Sequence, residues 1–174
     1  MITLVLGGTR SGKSEVGERI ARDLAGETDT VTYVATATTT PGDAAFHERI
    51  ARHRARRPST WTTVESGPDL PGVVAGCAGV VLVDSIGAWV AACDFRADVD
   101  ALCAALRART APTVVVSEEV GLGVHAPTAL GVQFADALGD ANRALARVAH
   151  HALLVVAGRT LVLDDPDTTV VPRA

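Results

Sequence analysis

Lysine is almost absent from this chain: of 16 basic residues among 174, fifteen are arginine and one is Lys13. Where arginine has displaced lysine for every job that needs only a positive charge, the survivor marks a place for a compact ammonium on a flexible stem, because the two cations are not interchangeable. An excess of positive charge is missing too. The 20 acidic residues leave a net charge of −4, which excludes broad electrostatic attraction to nucleic acid or to an anionic membrane, so any cation-rich site must be local. No apolar run approaches the roughly 20 residues that span a bilayer, the longest lying near 152–158. The apolar stretch 2–6 runs straight into glycines, Arg10 and Lys13, unlike a secretory leader, and a cytoplasmic location is expected. Cys77, Cys93 and Cys103 are odd in number and lack a C-x-x-C spacing. Neither a disulfide framework nor a zinc knuckle is indicated, and the thiols are expected to be buried spectators.

What is present is ordinary globular material, 48% hydrophobic and 21% charged, in a length that fits one domain spanning 1–174. Disorder is excluded as the main state.

The neighbours of Lys13 explain its survival. Ile2-Thr3-Leu4-Val5-Leu6 has strand length, Gly7-Gly8-Thr9-Arg10-Ser11-Gly12-Lys13-Ser14 fits G-x-x-x-x-G-K-[ST], and 15–24 reads as a helix with Val16, Ile20 and Leu24 on one stripe. Strand, glycine loop and helix arrive in the order that phosphate binding requires. The N–H groups of the loop and the helix N-terminus cradle phosphates, Lys13 reaches the β/γ oxygens, and the Ser14 hydroxyl is a ligand for Mg²⁺.

Further β-branched runs at 31–35, 80–83, 113–116 and 153–157 predict strands, and helices are expected over 43–56, 97–109 and 129–149. The stretch 66–78 reads as less regular, and the tail after Leu163 as surface. Alternating strands and helices predict an α/β fold with a mostly parallel sheet, helices on both faces, and a ligand site at the carboxyl ends of the strands.

Val80-Val81-Leu82-Val83-Asp84 has the form of a Walker-B strand, four apolar residues ending in an acid able to hold Mg²⁺ directly or through water. A strand-end Asp is also a common turn residue. Glu118-Glu119 ends the next strand at the same edge, where two adjacent acids could serve metal or base roles, and only one can point into the site. A solvated turn is the alternative. Glu119 is carried as a metal candidate beside Ser14 and Asp84.

From Asp43 onward the chain reads D-A-A-F-H-E-R-I-A-R-H-R-A-R-R-P, with five arginines among positions 49–57 of an acidic protein. At about 100° per residue Phe46, Ile50, His53 and Arg57 share one face, Arg49, Arg52 and Arg56 lie on a neighbouring flank, and His47 points away. Such a helix is often a solvated face and such a histidine often packs in a core. The functional reading is a His53 nucleophile or acid/base facing a nucleotide, flanked by arginines that neutralise phosphate charge. His125, His150 and His151 have no acidic or Cys partners at ligand spacing.

Taken together, G-G-T-R-S-G-K-S, Tyr33-Val34-Ala35-Thr36, R-I-x-x-H-x-x-x-R-P-x-x-W-x-T-x-E over 49–65, Val83-Asp84, Glu119-Val120-Gly121 and Val155-Val156-Ala157-Gly158 resemble the bifunctional adenosylcobinamide kinase / adenosylcobinamide-phosphate guanylyltransferase family of cobalamin biosynthesis. The resemblance covers nearly the whole chain. It implies a RecA-like P-loop fold, phosphorylation of the cobinamide side-chain hydroxyl with ATP or GTP and Mg²⁺, and transfer of GMP from GTP through a covalent guanylyl-histidine at His53. It also implies nucleotide contacts from Ala35, Thr36, Ala37, Arg54, Ala55, Arg56, Arg57 and Glu65, a corrinoid substrate, and a homo-oligomer with a trimer as the expected form. The chain departs from that pattern at Ser85 (family Cys), at Ala91-Ala92 (a later Asn), at Glu118 (Asn), and over 131–136, where the family is Arg-rich and this chain has no Arg. These positions fall outside the nucleotide signature and concern how the corrinoid or its phosphate is held. A kinase keeping one of the two activities, or a RecA-like nucleotide-binding module without catalysis, are the alternative readings.

Overall fold

The computed structural model describes residues 1–28, 30–37, 57–123 and 126–165. Seven strands form one sheet: β1 (Ile2–Gly7), β2 (Val31–Ala35), β3 (Thr62–Glu65), β4 (Val80–Asp84), β5 (Thr113–Glu118), β6 (His151–Val156) and β7 (Arg159–Leu163), in the order β3-β2-β4-β5-β1-β6-β7. All neighbours are parallel except β6 and β7. The helices are α1 (Lys13–Ala25), α2 (Leu70–Gly76), α3 (Ile86–Ala92), α4 (Val99–Ala108) and α5 (Ala129–Val148).

The alternation of side chains along each strand divides the core in two. Ile2, Leu4 and Leu6 of β1, with Val81, Val83 and Val115, pack against Leu70, Val74, Ile86, Trp89, Leu102, Leu106, Leu138 and Leu145 from α2 to α5. Val5, Leu82, Val114, Val116 and Val155 face the other way, onto Val16 and Ala21 of α1. Both faces of the sheet are covered, as the near-continuous apolar strands require. Asp69, Asp98 and Thr128 start α2, α4 and α5 by accepting the N–H of Gly72, Ala101 and Gly131.

The expected mostly parallel α/β sheet is what forms. The structure differs from the sequence expectation in several places, and β3, α3 and β7 are elements that expectation did not include. The stretch 66–78 is not simply irregular, because Asp69 caps α2 inside it. The last parallel strand is β6 at His151–Val156 rather than 153–157, since Ala157 and Gly158 both adopt positive φ, 51° and 74°, in a two-residue hairpin turn that sends the chain back as β7. Of the thiols only Cys103 is buried, Cys77 and Cys93 being half-buried, and burial raises the pKa of all three. The expected helix 43–56, with His47 and His53, lies outside the described residues, as do His125 and the tail from 166. No described helix is long and apolar enough to cross a membrane.

Arg109, just after α4, locks one end of the sheet. Its guanidinium donates to the carbonyls of Val74, Cys77 and Gly79 and to Thr113 Oγ1, tying α2, the turn after it and β5 together.

Candidate active site

Parallel pairing sets which residues meet at the carboxyl edge of the sheet. Gly7 is in register with Glu118, and Ala35 with both Asp84 and Glu65. Loop 7–14 therefore begins beside the acid of β5, with the acid of β4 one strand further on.

The loop has the backbone the motif calls for. Gly12 sits at φ 92° and caps α1, and a β-carbon there would come within 3.3 Å of Gly158 Cα. Both conformation and space demand glycine. Arg10 also takes a positive φ, 57°. The Ser11 N–H donates to Gly8 O, and Ser11 O accepts from Gly158 N at 2.8 Å. The β6–β7 turn thus braces the loop, a contact that no sequence signal announced. At the start of α1 the Lys13 N–H donates to Ser11 Oγ at 3.3 Å and the Val16 N–H to Gly12 O at 3.0 Å, and a helix N-terminus placed at such a loop favours an anion.

Lys13 and Ser14 leave this turn toward the two acids. The Lys13 ammonium lies 3.5 Å from Gly8 O and 3.7 Å from Glu118 Oε1. Ser14 Oγ donates to Asp84 Oδ1 at 3.3 Å. The other oxygen of that carboxylate, Oδ2, accepts from the Tyr33 phenol at 2.8 Å. Burial, reinforced by the Asp84 charge, pushes the phenol far above its ordinary pKa of 10.0, so Tyr33 stays a donor. The Arg57 guanidinium stacks on the Tyr33 ring, 3.2 Å from its centroid, and reaches Thr63 Oγ1. Ser14, Asp84, Tyr33 and Arg57 form a continuous line from the glycine loop to the start of β3.

Thr36 is buried, its hydroxyl bridging Ser85, donating to the carbonyl at 2.6 Å and accepting from the N–H at 2.8 Å. This stitches the end of β2 to the residue after Asp84. Ala37 follows half-buried, and Glu65 ends β3 exposed at the same edge. The two acids of β5 separate. Glu118 meets Lys13, while Glu119 turns back to accept from Gly121 N at 2.6 Å. Gly7, Gly8, Thr9, Arg10, Ser11, Gly12, Lys13, Ser14, Ala35, Thr36, Ala37, Glu65 and Asp84 lie along this edge, while Arg57 lies against Tyr33 and Thr63, two residues back from the strand ends. Arg54, Ala55, Arg56 and His53 are outside the described residues. Tyr33 and Glu118 are the participants that the sequence expectation underweighted, the first quoted only within a motif and the second passed over for Glu119 as a metal candidate.

Ser14 Oγ and Asp84 Oδ1 are hard oxygen donors fit for Mg²⁺, which binds through one or two protein oxygens plus waters and substrate phosphates. Among the described residues no group of three or more His, Cys, Asp or Glu side chains forms a metal cage. His150, for its part, is structural, its Nδ1 accepting from Ile2 N.

The model of a family described as cobinamide kinase / cobinamide phosphate guanyltransferase matches residues 3–163. No curated protein matches the chain. Among solved structures, the flagellar accessory protein FlaH of Methanocaldococcus jannaschii is similar, with 16% identity, a TM-score of 0.52, and coverage of 91% of this chain and 74% of that one. At that identity the likeness speaks for the fold alone, an α/β one with a mostly parallel sheet.

Proposed function

The chain belongs to the cobinamide kinase / cobinamide phosphate guanyltransferase family, and we propose that it performs both reactions of that name on a single catalytic domain. In the first, the γ-phosphoryl group of ATP or GTP passes to the side-chain hydroxyl of adenosylcobinamide. The hydroxyl oxygen bonds to phosphorus as the β–γ bridging bond breaks. In the second, a ring nitrogen of His53 attacks the α-phosphorus of GTP and pyrophosphate leaves. The resulting phosphoramidate then passes GMP to adenosylcobinamide phosphate, freeing the imidazole and giving adenosylcobinamide-GDP.

The single observation that carries this reading is the convergence of Lys13, Ser14 and Asp84 at one glycine loop, in a chain that matches the family over residues 3–163. Lys13 holds the β/γ oxygens as a point charge, and the loop N–H groups orient the chain of phosphates. Mg²⁺, held by Ser14 and Asp84 with the nucleotide, supplies charge neutralisation on the phosphates. Ala35, Thr36, Ala37, Arg54, Ala55, Arg56, Arg57 and Glu65 contact the nucleotide in this reading, the arginines countering phosphate charge. The protein acts in the cytoplasm as a homo-oligomer.

Mass spectrometry of the intact protein after incubation with GTP and Mg²⁺ tests the covalent step. A GMP adduct is expected on the wild type and not on His53→Ala, the kinase step persisting in the variant. Equal adducts on both proteins would refute the role of His53.

A further inference from the structure

Glu118 is held from several sides. Its Oε2 accepts from Gly87 N at 3.0 Å, and a β-carbon on Gly87 would lie 2.3 Å from that same oxygen. A side chain at position 87 would displace the carboxylate from this place. Its own carbonyl accepts from Asn142 Nδ2 at 3.0 Å, and buried Asn142 is fixed in turn by Ser117 Oγ. The remaining oxygen, Oε1, faces Lys13 Nζ at 3.7 Å, the two side chains being only 27% and 12% exposed. An anion has been immobilised beside the one ammonium that a polyphosphate must recruit.

We infer that Glu118 is a positioning residue that competes with the β- and γ-phosphates for the Lys13 ammonium, so that it weakens nucleotide binding. The inference rests on the P-loop reading of the preceding subsection. Lys13 carries one charge and cannot fully serve both partners. When it swings to the phosphates it leaves behind a carboxylate that its hydrogen bond to Gly87 keeps in place. Removing that charge while keeping its shape and its acceptor frees Lys13 for the nucleotide. Glu118→Gln does this, since its amide oxygen still accepts from Gly87 N.

Calorimetric titration of GTP with Mg²⁺, extended to millimolar nucleotide, into wild type, Glu118→Gln, Lys13→Ala and the double variant provides the test, with thermal melts to establish that each is folded. For a pair this partly screened, Glu118→Gln is expected to bind GTP about three- to tenfold more tightly than wild type. The gain should vanish in the Lys13→Ala background, because it acts through the ammonium. A role confined to bracing the fold would move the melt and not the affinity. Unchanged or weaker binding by folded Glu118→Gln, or a gain that persists without Lys13, overturns the inference while leaving the P-loop reading intact. No GTP binding by the wild type would bring down both.

Discussion

The Tyr33 phenol donates to Asp84 Oδ2 at 2.8 Å, so the strand-end carboxylate that also takes the Ser14 hydroxyl is held from both sides. Asp84 is therefore oriented jointly by Tyr33 on the adjacent strand and by Ser14 at the end of the glycine loop.

Tyr33 is the only tyrosine in the chain, so its ionisation can be read without interference. Burial first, and the Asp84 charge second, raise its folded pKa above the ordinary 10.0. In ultraviolet titration the folded protein should show no tyrosinate absorbance at pH values where the unfolded chain is fully ionised. Because the folded pKa is the higher one, the associated stability is fully present below pH 10 and declines as pH rises above it. Denaturant midpoints should fall over that range, and fall less in Tyr33→Phe. A normal titration near pH 10 in the folded protein would contradict the burial of the phenol beside Asp84.

Lys13→Ala should lower phosphoryl transfer by roughly 10²–10³-fold, by analogy with loss of a single preorganised charge donor. Lys13→Arg should fail too, because a wide planar fork does not replace a compact ammonium held 3.5 Å from Gly8 O and 3.7 Å from Glu118 Oε1. Steady-state rates on protein whose fold is verified by circular dichroism check this. Wild-type turnover in either variant would remove the P-loop from the mechanism.

Arg109→Ala should cost stability rather than chemistry. Three carbonyls, of Val74, Cys77 and Gly79, and the Thr113 hydroxyl lose a charged donor at once. Chemical denaturation should show a loss of about 2–4 kcal/mol, with nucleotide affinity of the folded fraction unchanged.

The parts of this protein that were legible in its sequence are those whose signals are local. The β1–loop–α1 unit announces itself through apolar run, glycine spacing and amphipathic stripe within 24 residues, and β4 through four apolar residues ending in Asp84. By contrast β3 is an edge strand with Thr62, Thr63 and Glu65 exposed, and so carries no alternating pattern. The helix α3 is apolar on most sides, with Ile86, Gly87, Trp89 and Val90 buried, and has no polar face to give it a period. In β7 every residue is exposed, Leu161, Val162 and Leu163 included, so no alternation of apolar and polar residues marks it as a strand. The choice between Glu118 and Glu119 was not local at all. It depends on the register that sets Glu118 opposite Gly7, and on Gly87 of a different helix leaving space for the carboxylate.

The central claim is that this site transfers phosphoryl and then guanylyl groups to a corrinoid, and parallel incubations with adenosylcobinamide, Mg²⁺ and GTP labelled at either the γ- or the α-phosphate test it most directly. The γ-label is expected first in adenosylcobinamide phosphate, and the α-label then in adenosylcobinamide-GDP. GTP bound or hydrolysed with neither label reaching the corrinoid would contradict it.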